Sequence, residues 1–303
     1  MDRTMRTLCA ILLIAAIWAP ALAWAHGTVG DYTFLEPLVA DDANPKNEFD
    51  IMRPSWYQTD DGRSFGLGFS LEKVLIKDND GNGLVSLETG SEWDAVSPKH
   101  GPYVTGFNDM ELLLKWAFLT IPEHEFRLSI GAKFILPTGN PTVQDQNHTQ
   151  LGPELLWAKG WGDLPNWSVI KYLRPFGFQG DFGYVPALGG ATYHEMFADN
   201  VVEYSLPYLS NNVRDIGLNW PLRNMYLFNE FNYDQLITGP SGSTFPQIRI
   251  TPGLAFMNTY VELAAGTQFP LNNATVSGNH AAVLGLLDLF IDDIFPWTRW
   301  TPL

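Results

Sequence analysis

Along residues 107–137, FNDMELLLKWAFLTIPEHEFRLSIGAKFILP, apolar and polar positions alternate almost one for one. Met110, Leu112, Leu114, Trp116 and Phe118 fall on one side, and Asp109, Glu111, Leu113, Lys115 and Ala117 on the other. After a break at Ile121–His124 the alternation resumes, with Phe126, Leu128, Ile130, Ala132, Phe134 and Leu136 opposite Arg127, Ser129, Gly131, Lys133 and Ile135. A period of two is that of a β-strand. Each run is about nine to eleven residues, the length a tilted strand needs to cross a bilayer, and the break is short enough for a hairpin turn. The segment predicts two neighbouring strands of a transmembrane barrel, apolar side to lipid and charged side to water. A hairpin in a soluble β-sandwich would alternate too. The mixed charges on the polar face favour a shared, confined lumen.

The same pattern recurs along the chain. Phe65, Leu67, Phe69 and Leu71 alternate with Gly66, Gly68, Ser70 and Glu72. Ile170, Tyr172, Phe176, Phe178, Phe182 and Tyr184 oppose Lys171, Gly177, Gln179, Asp181 and Gly183, and Val202, Tyr204, Leu206 and Tyr208 oppose Glu203, Ser205 and Pro207. Val261, Leu263, Ala265, Thr267 and Phe269 oppose Glu262, Ala264, Gly266 and Gln268. Weaker strands are expected at Phe49 to Tyr57, interrupted by Pro54, and at Met225 to Asp234; further strands are expected at Leu84 to Trp93, Leu151 to Trp161 and Phe245 to Met257, and a last one at Ala281 to Phe295. Long connections at 92–104, 137–150, 186–199 and 270–280 alternate with short ones at 78–83, 120–125, 162–166 and 258–259, as in outer-membrane barrels. Residues 210–223 and 59–63 depart from that rule. The fold class expected is all-β: a closed antiparallel transmembrane β-barrel of about 12 strands.

The first residues sharpen this picture. Arg3 and Arg6 precede an apolar core from Leu8 to Ile17, and Ala23-Trp24-Ala25 fits a small-x-small cleavage site. The expected organisation is a cleaved signal peptide over 1–25, an N-terminal periplasmic arm over 26–46, a barrel over 47–296 and a C-terminal tail over 297–303. Cys9, the one cysteine, falls in the leader, so no disulfide or thiol chemistry is expected of the mature chain. The 18 Lys and Arg against 33 Asp and Glu argue against nucleic-acid binding. The abundance of aromatics, 11 Trp, 11 Tyr and 19 Phe, suits rings placed between lipid and water.

At KFILPTGN (133–140), at TPGLAFMNTYVELAAGTQFPLNN (251–273) and at LLDLFIDDIFP (286–296), the chain resembles the bacterial outer-membrane barrels grouped under the putative MetA pathway of phenol degradation, often labelled as transporters. The resemblance spans about residues 30–296 and rests on strand-and-turn patterns. It implies a barrel of about a dozen strands passing small, often aromatic or apolar solutes, and it carries over no catalytic residues. The chain departs from the usual barrel ending, because Pro296 to Leu303 follow Phe295.

Candidate chemistry is sparse. Asp78, Asp80 and Asn82 open like a calcium loop, with Glu88 one place short of the twelfth position; the same residues suit a hairpin turn. His26 at the new N-terminus could offer amine and imidazole to copper, though no other histidine is spaced as its partner. Asp109, Glu111, Lys115, Arg127, Lys133, Lys171, Asp181, Glu203 and Glu262 are expected to line the lumen, either selecting solutes or filling it as a charge ladder. No hydrolase or phosphate-binding motif is present, so the chain is not expected to be an enzyme, and no cofactor is expected. The function expected is an outer-membrane diffusion channel for small solutes, with lipid and solute as partners and a monomer as the assembly. The alternatives are a non-conducting structural or docking barrel, an outer-membrane hydrolase and a soluble periplasmic β-protein.

Overall fold

Short inward and outward alternation, repeated strand after strand, closes the sheet on itself. The computed structural model describes residues 27–143, 148–189, 194–238, 246–272 and 279–302; the expected leader with Cys9, and His26 after it, lie outside them. Two short strands, β1 (Thr28–Val29) and β2 (Tyr32–Thr33), form a separate small hairpin. The wall follows as β3 (Glu48–Thr59), β4 (Gly62–Lys77), β5 (Gly83–Pro98), β7 (Met110–Ile121), β8 (Phe126–Leu136) and β9 (Gln150–Gly160). It continues as β10 (Phe176–Pro186), β11 (His194–Ser205), β12 (Met225–Thr238), β13 (Gln247–Met257), β14 (Val261–Pro270) and β15 (Asn279–Phe290). These 12 strands pair antiparallel in sequence order, and β15 returns to β3 through pairs such as Leu284 with Ser55 and Leu289 with Phe49. The wall therefore has no free edge, the condition for strands in lipid. The remaining strand, β6 (Val104–Phe107), pairs with the outer half of β5 at Trp93–Val96, while β7 takes the inner half at Val85–Gly90.

Burial runs inside out. Trp116 is 51% exposed and Ile130 44%, while Lys115 is fully buried. Trp56, Phe65, Phe182, Leu227, Leu254 and Val283 are exposed in the same way around the wall. A soluble sandwich would show the reverse. Chain entry and exit lie at one end, here the near end. There Trp161, Trp167, Trp220, Trp297 and Trp300 stand exposed, the placement of an interfacial aromatic girdle.

Several expected boundaries shift. Residues 170–173 form a 3₁₀ turn rather than strand, because their amides bond locally (Lys171 N to Trp167 O, 3.1 Å) and Pro175 cannot extend the ladder. The connection at 161–175 is therefore long, and Leu206–Tyr208 leaves the wall as a helical turn capped by Ser205. The last strand ends at Phe290, not Phe295; residues 291–302 fold back, with Lys73 donating to Thr298 O (2.5 Å) and Lys77 to Arg299 O (2.8 Å). Pro54 is accommodated beside a register shift between β3 and β4.

If the outer face meets hydrocarbon, Ile130→Arg, at mid-strand, is expected to cost about 2–4 kcal/mol of folding stability in lipid bilayers. Urea titration by tryptophan fluorescence checks this; an unchanged midpoint would mean Ile130 does not face lipid.

Candidate functional site

The described part of the expected periplasmic arm (26–46), residues 27–46, lies within the barrel. The β1–β2 hairpin sits across the near end. Its turn at Gly30 (φ +63°) touches the 122–125 turn so closely that a Cβ would fall 2.1 Å from Pro122 O. Tyr32 packs on Gly177 and donates to Pro175 O at 2.9 Å. From Phe34 the chain rises without regular structure to about mid-lumen at 38–42 and returns to β3, with Pro37 and Pro45 preventing a ladder of its own.

A buried irregular backbone must find partners elsewhere. Here the wall supplies carboxylates. Leu35 N donates to Glu203 (3.3 Å), Glu36 N to Glu262 (3.2 Å), Leu38 N and Val39 N to Glu230 (2.6 and 3.0 Å), Asp41 N to Asp181 (2.7 Å) and Lys46 N to Glu72 (3.3 Å). Arm carbonyls are met in turn by Gln179 at Leu35 O (2.8 Å), Arg53 at Pro37 O (2.6 Å) and Ser129 at Ala43 O (2.5 Å). Arg127 donates to Asn44 Oδ1 at 3.0 Å. Between these bonds, Leu35, Leu38 and Ala40 pack on Val201, Phe228, Leu284 and Phe290, and Phe34 and Ala43 on Leu113, Leu156 and Ala158.

Ion pairs fix the descending limb. Lys46 Nζ lies 2.6 Å from Glu36, 2.9 Å from Glu48 and 3.5 Å from Asp42. Lys115 lies 3.1 Å from Asp42 and 3.5 Å from Glu72, and Lys133 2.7 Å from Asp41. At the near-end surface Glu125, in left-handed backbone (φ 49°), accepts from Tyr208 Oη at 2.8 Å and Gly162 N at 2.7 Å, joining three connections. Burial holds its carboxyl above the usual range against the pull of both bonds.

Above the arm the far half of the lumen is open as a cavity of about 660 Å³. Arg53 and Lys133 face Asp41, Glu88, Glu92, Asp109, Glu111 and Asp234 there. Of the expected lumen residues, Lys115, Arg127, Asp181, Glu203 and Glu262 thus contact the arm or its partners, while Asp109, Glu111 and Lys133 line the cavity. Lys171 does not reach the lumen: it sits in the near-end 3₁₀ turn, 5.4 Å from the Tyr172 ring. The calcium-like turn is not assembled as a ligand set. Asp78 spends its oxygens on Asp80 N (2.9 Å), Asn82 N (2.8 Å) and Asn82 Nδ2 (3.0 Å), and Glu88 stands up β5, lining the cavity. Glu72, Glu154, Glu230 and Lys46 were not singled out from the sequence. Glu72 already stood on a readable polar face; Glu230 follows Tyr226 and Phe228, inward aromatics that pack on the arm and blur the alternation.

The closed wall, apolar belt and polar lumen define the class: a bacterial outer-membrane β-barrel. An outer membrane channel from Pseudomonas putida F1 has a similar fold, with a TM-score of 0.59 at 12% identity over 85% of this chain and 99% of that one. Outer membrane phospholipase A from Escherichia coli (TM-score 0.39, 10% identity, 86% and 95% covered) and LpxR from Salmonella typhimurium (0.43, 10%, 80% and 99%) share only the general barrel form. No protein-family model and no curated protein sequence matches the chain.

Replacing Lys46 by Met would leave Glu36, Asp42 and Glu48 without their shared cation, a loss of about 3–5 kcal/mol for a buried pair. Hydrogen–deuterium exchange of peptides covering residues 34–45 is the readout: it is expected to be at least tenfold faster in Lys46→Met than in the wild type.

Proposed function

We propose that this protein is an outer-membrane channel for small solutes whose own N-terminal arm closes it. The observation that carries the reading is an arm held inside the lumen by side-chain bonds, below an open cavity. A strand added to the wall would be locked by a continuous ladder. An extended segment held by separate side chains can exchange those bonds for water one at a time, each worth about 1.5–3 kcal/mol when charged. Both ends of the segment lie at the near end, so it can withdraw that way without threading.

The resemblance to the phenol-degradation barrels supports small aromatic solutes. The cavity lining adds a constraint of its own: carboxylates outnumber Arg53 and Lys133. Such a lining favours neutral or cationic solutes over anions, and an aromatic with an uncharged polar group fits it better than a purely apolar one. No observation among the described residues favours the hydrolase alternative.

In planar bilayers, deleting residues 27–44 is expected to raise single-channel conductance severalfold, with cations preferred over anions in a KCl gradient. Joining Ala43→Cys to Ser129→Cys, neighbours in the lumen, is expected to hold the pore shut until a reductant is added. An arm-deleted, folded barrel that passes no current would support the non-conducting alternative instead.

A further inference from the structure

Two carboxylate trios in the lumen bring their oxygens within 4.8 Å of one another. In the first, Glu36, Asp42 and Glu48 surround Lys46, and their charge is answered. The second joins Asp41 of the arm to Glu154 of β9 and Asp181 of β10. Lys133 pairs with Asp41 at 2.7 Å, but among the described residues neither Glu154 nor Asp181 has an ion pair. Both Glu154 oxygens and Asp181 Oδ1 are buried and accept no hydrogen bond, although Glu154 and Asp181 are each 1% exposed. Asp199, opposite Asp181 in the ladder, adds a further carboxylate.

Carboxylates this close cannot all keep their charge unless a cation lies among them or they share a proton. We propose that Asp41, Glu154 and Asp181 bind a hard divalent cation, calcium or magnesium, which pins the tip of the arm to the wall. The ligand atoms are all carboxylate oxygens, the set such ions prefer; no imidazole or thiolate is present to select zinc or copper. Asp41 and Lys133 line the far-end cavity, so the ion and its remaining waters can enter from there. The pinning role rests on the reading of the arm as the gate; the site itself does not.

The test uses the purified, folded full-length barrel in detergent, stripped with EDTA and titrated calorimetrically with CaCl₂ and with MgCl₂. One cation per barrel is expected. Binding should be at least tenfold weaker in Glu154→Gln and, as an independent variant, in Asp181→Asn, but unchanged in Asp78→Asn. Heat-dependent gel migration shows which variants are folded. The bound ion should also slow amide exchange of peptides covering residues 38–44 at least threefold relative to EDTA. No binding to the wild type overturns the site and leaves a proton shared among the carboxylates. Equal binding in both folded variants, or loss in Asp78→Asn, also overturns it. Binding without slower exchange of that segment overturns the pin. A barrel that binds the ion at Glu154, yet conducts equally with and without its arm, keeps the site and loses the gate.

Discussion

A polar group packed into the filled half of a barrel lumen must find its partner in the protein, and this constraint shapes the contacts between wall and arm. The wall brings Glu72, Asp181, Glu203, Glu230 and Glu262 inward, where each needs donors. The arm brings a backbone that forms no ladder, and it needs acceptors. Each solves the other's problem: glutamate and aspartate oxygens receive the amides of Leu35 to Lys46. Each half alone must find its partners in water. An empty lumen would leave acidic side chains crowded and unpaired, and a free arm would expose Phe34, Leu35 and Leu38 to water.

The same exchange explains the division of the lumen. The arm rises only to mid-height, so the near half is packed and the far half stays open. Packing in the near half has the character of a small protein core, with Tyr32, Phe34 and Tyr208 ring to ring at 4.7 and 5.3 Å. The far half is open and acidic. Asp41 and Lys133, side chains of the arm and of its anchor, line this cavity together with Leu38 and Val39.

The outward face was legible because lipid imposes one rule on every strand. Met110 to Phe118 and Phe126 to Leu136 gave period, direction and turn without ambiguity. The inward face obeys two rules, charge where it meets the arm's backbone and apolar bulk where it meets the arm's side chains. That mixture hid Glu230 among Tyr226 and Phe228. Lys171 misled for the opposite reason: its neighbours Ile170 and Tyr172 alternate as a strand would, yet local amide bonds and Pro175 keep the segment out of the wall. The arm's location could not be read from its own residues. Pro37, Asp42, Asn44 and Pro45 look like an exposed loop, and only the inward carboxylates of five distant strands, with Lys115 from a sixth, make the lumen a better solvent for them.

Hydrogen–deuterium exchange of the folded barrel in bilayers tests this mutual satisfaction most directly. Peptides covering residues 34–47 should exchange as slowly as those from the wall strands, at least a hundredfold below an unstructured peptide. Exchange of that segment at the unstructured rate, with the strands still protected, would place the arm outside the lumen and contradict the account.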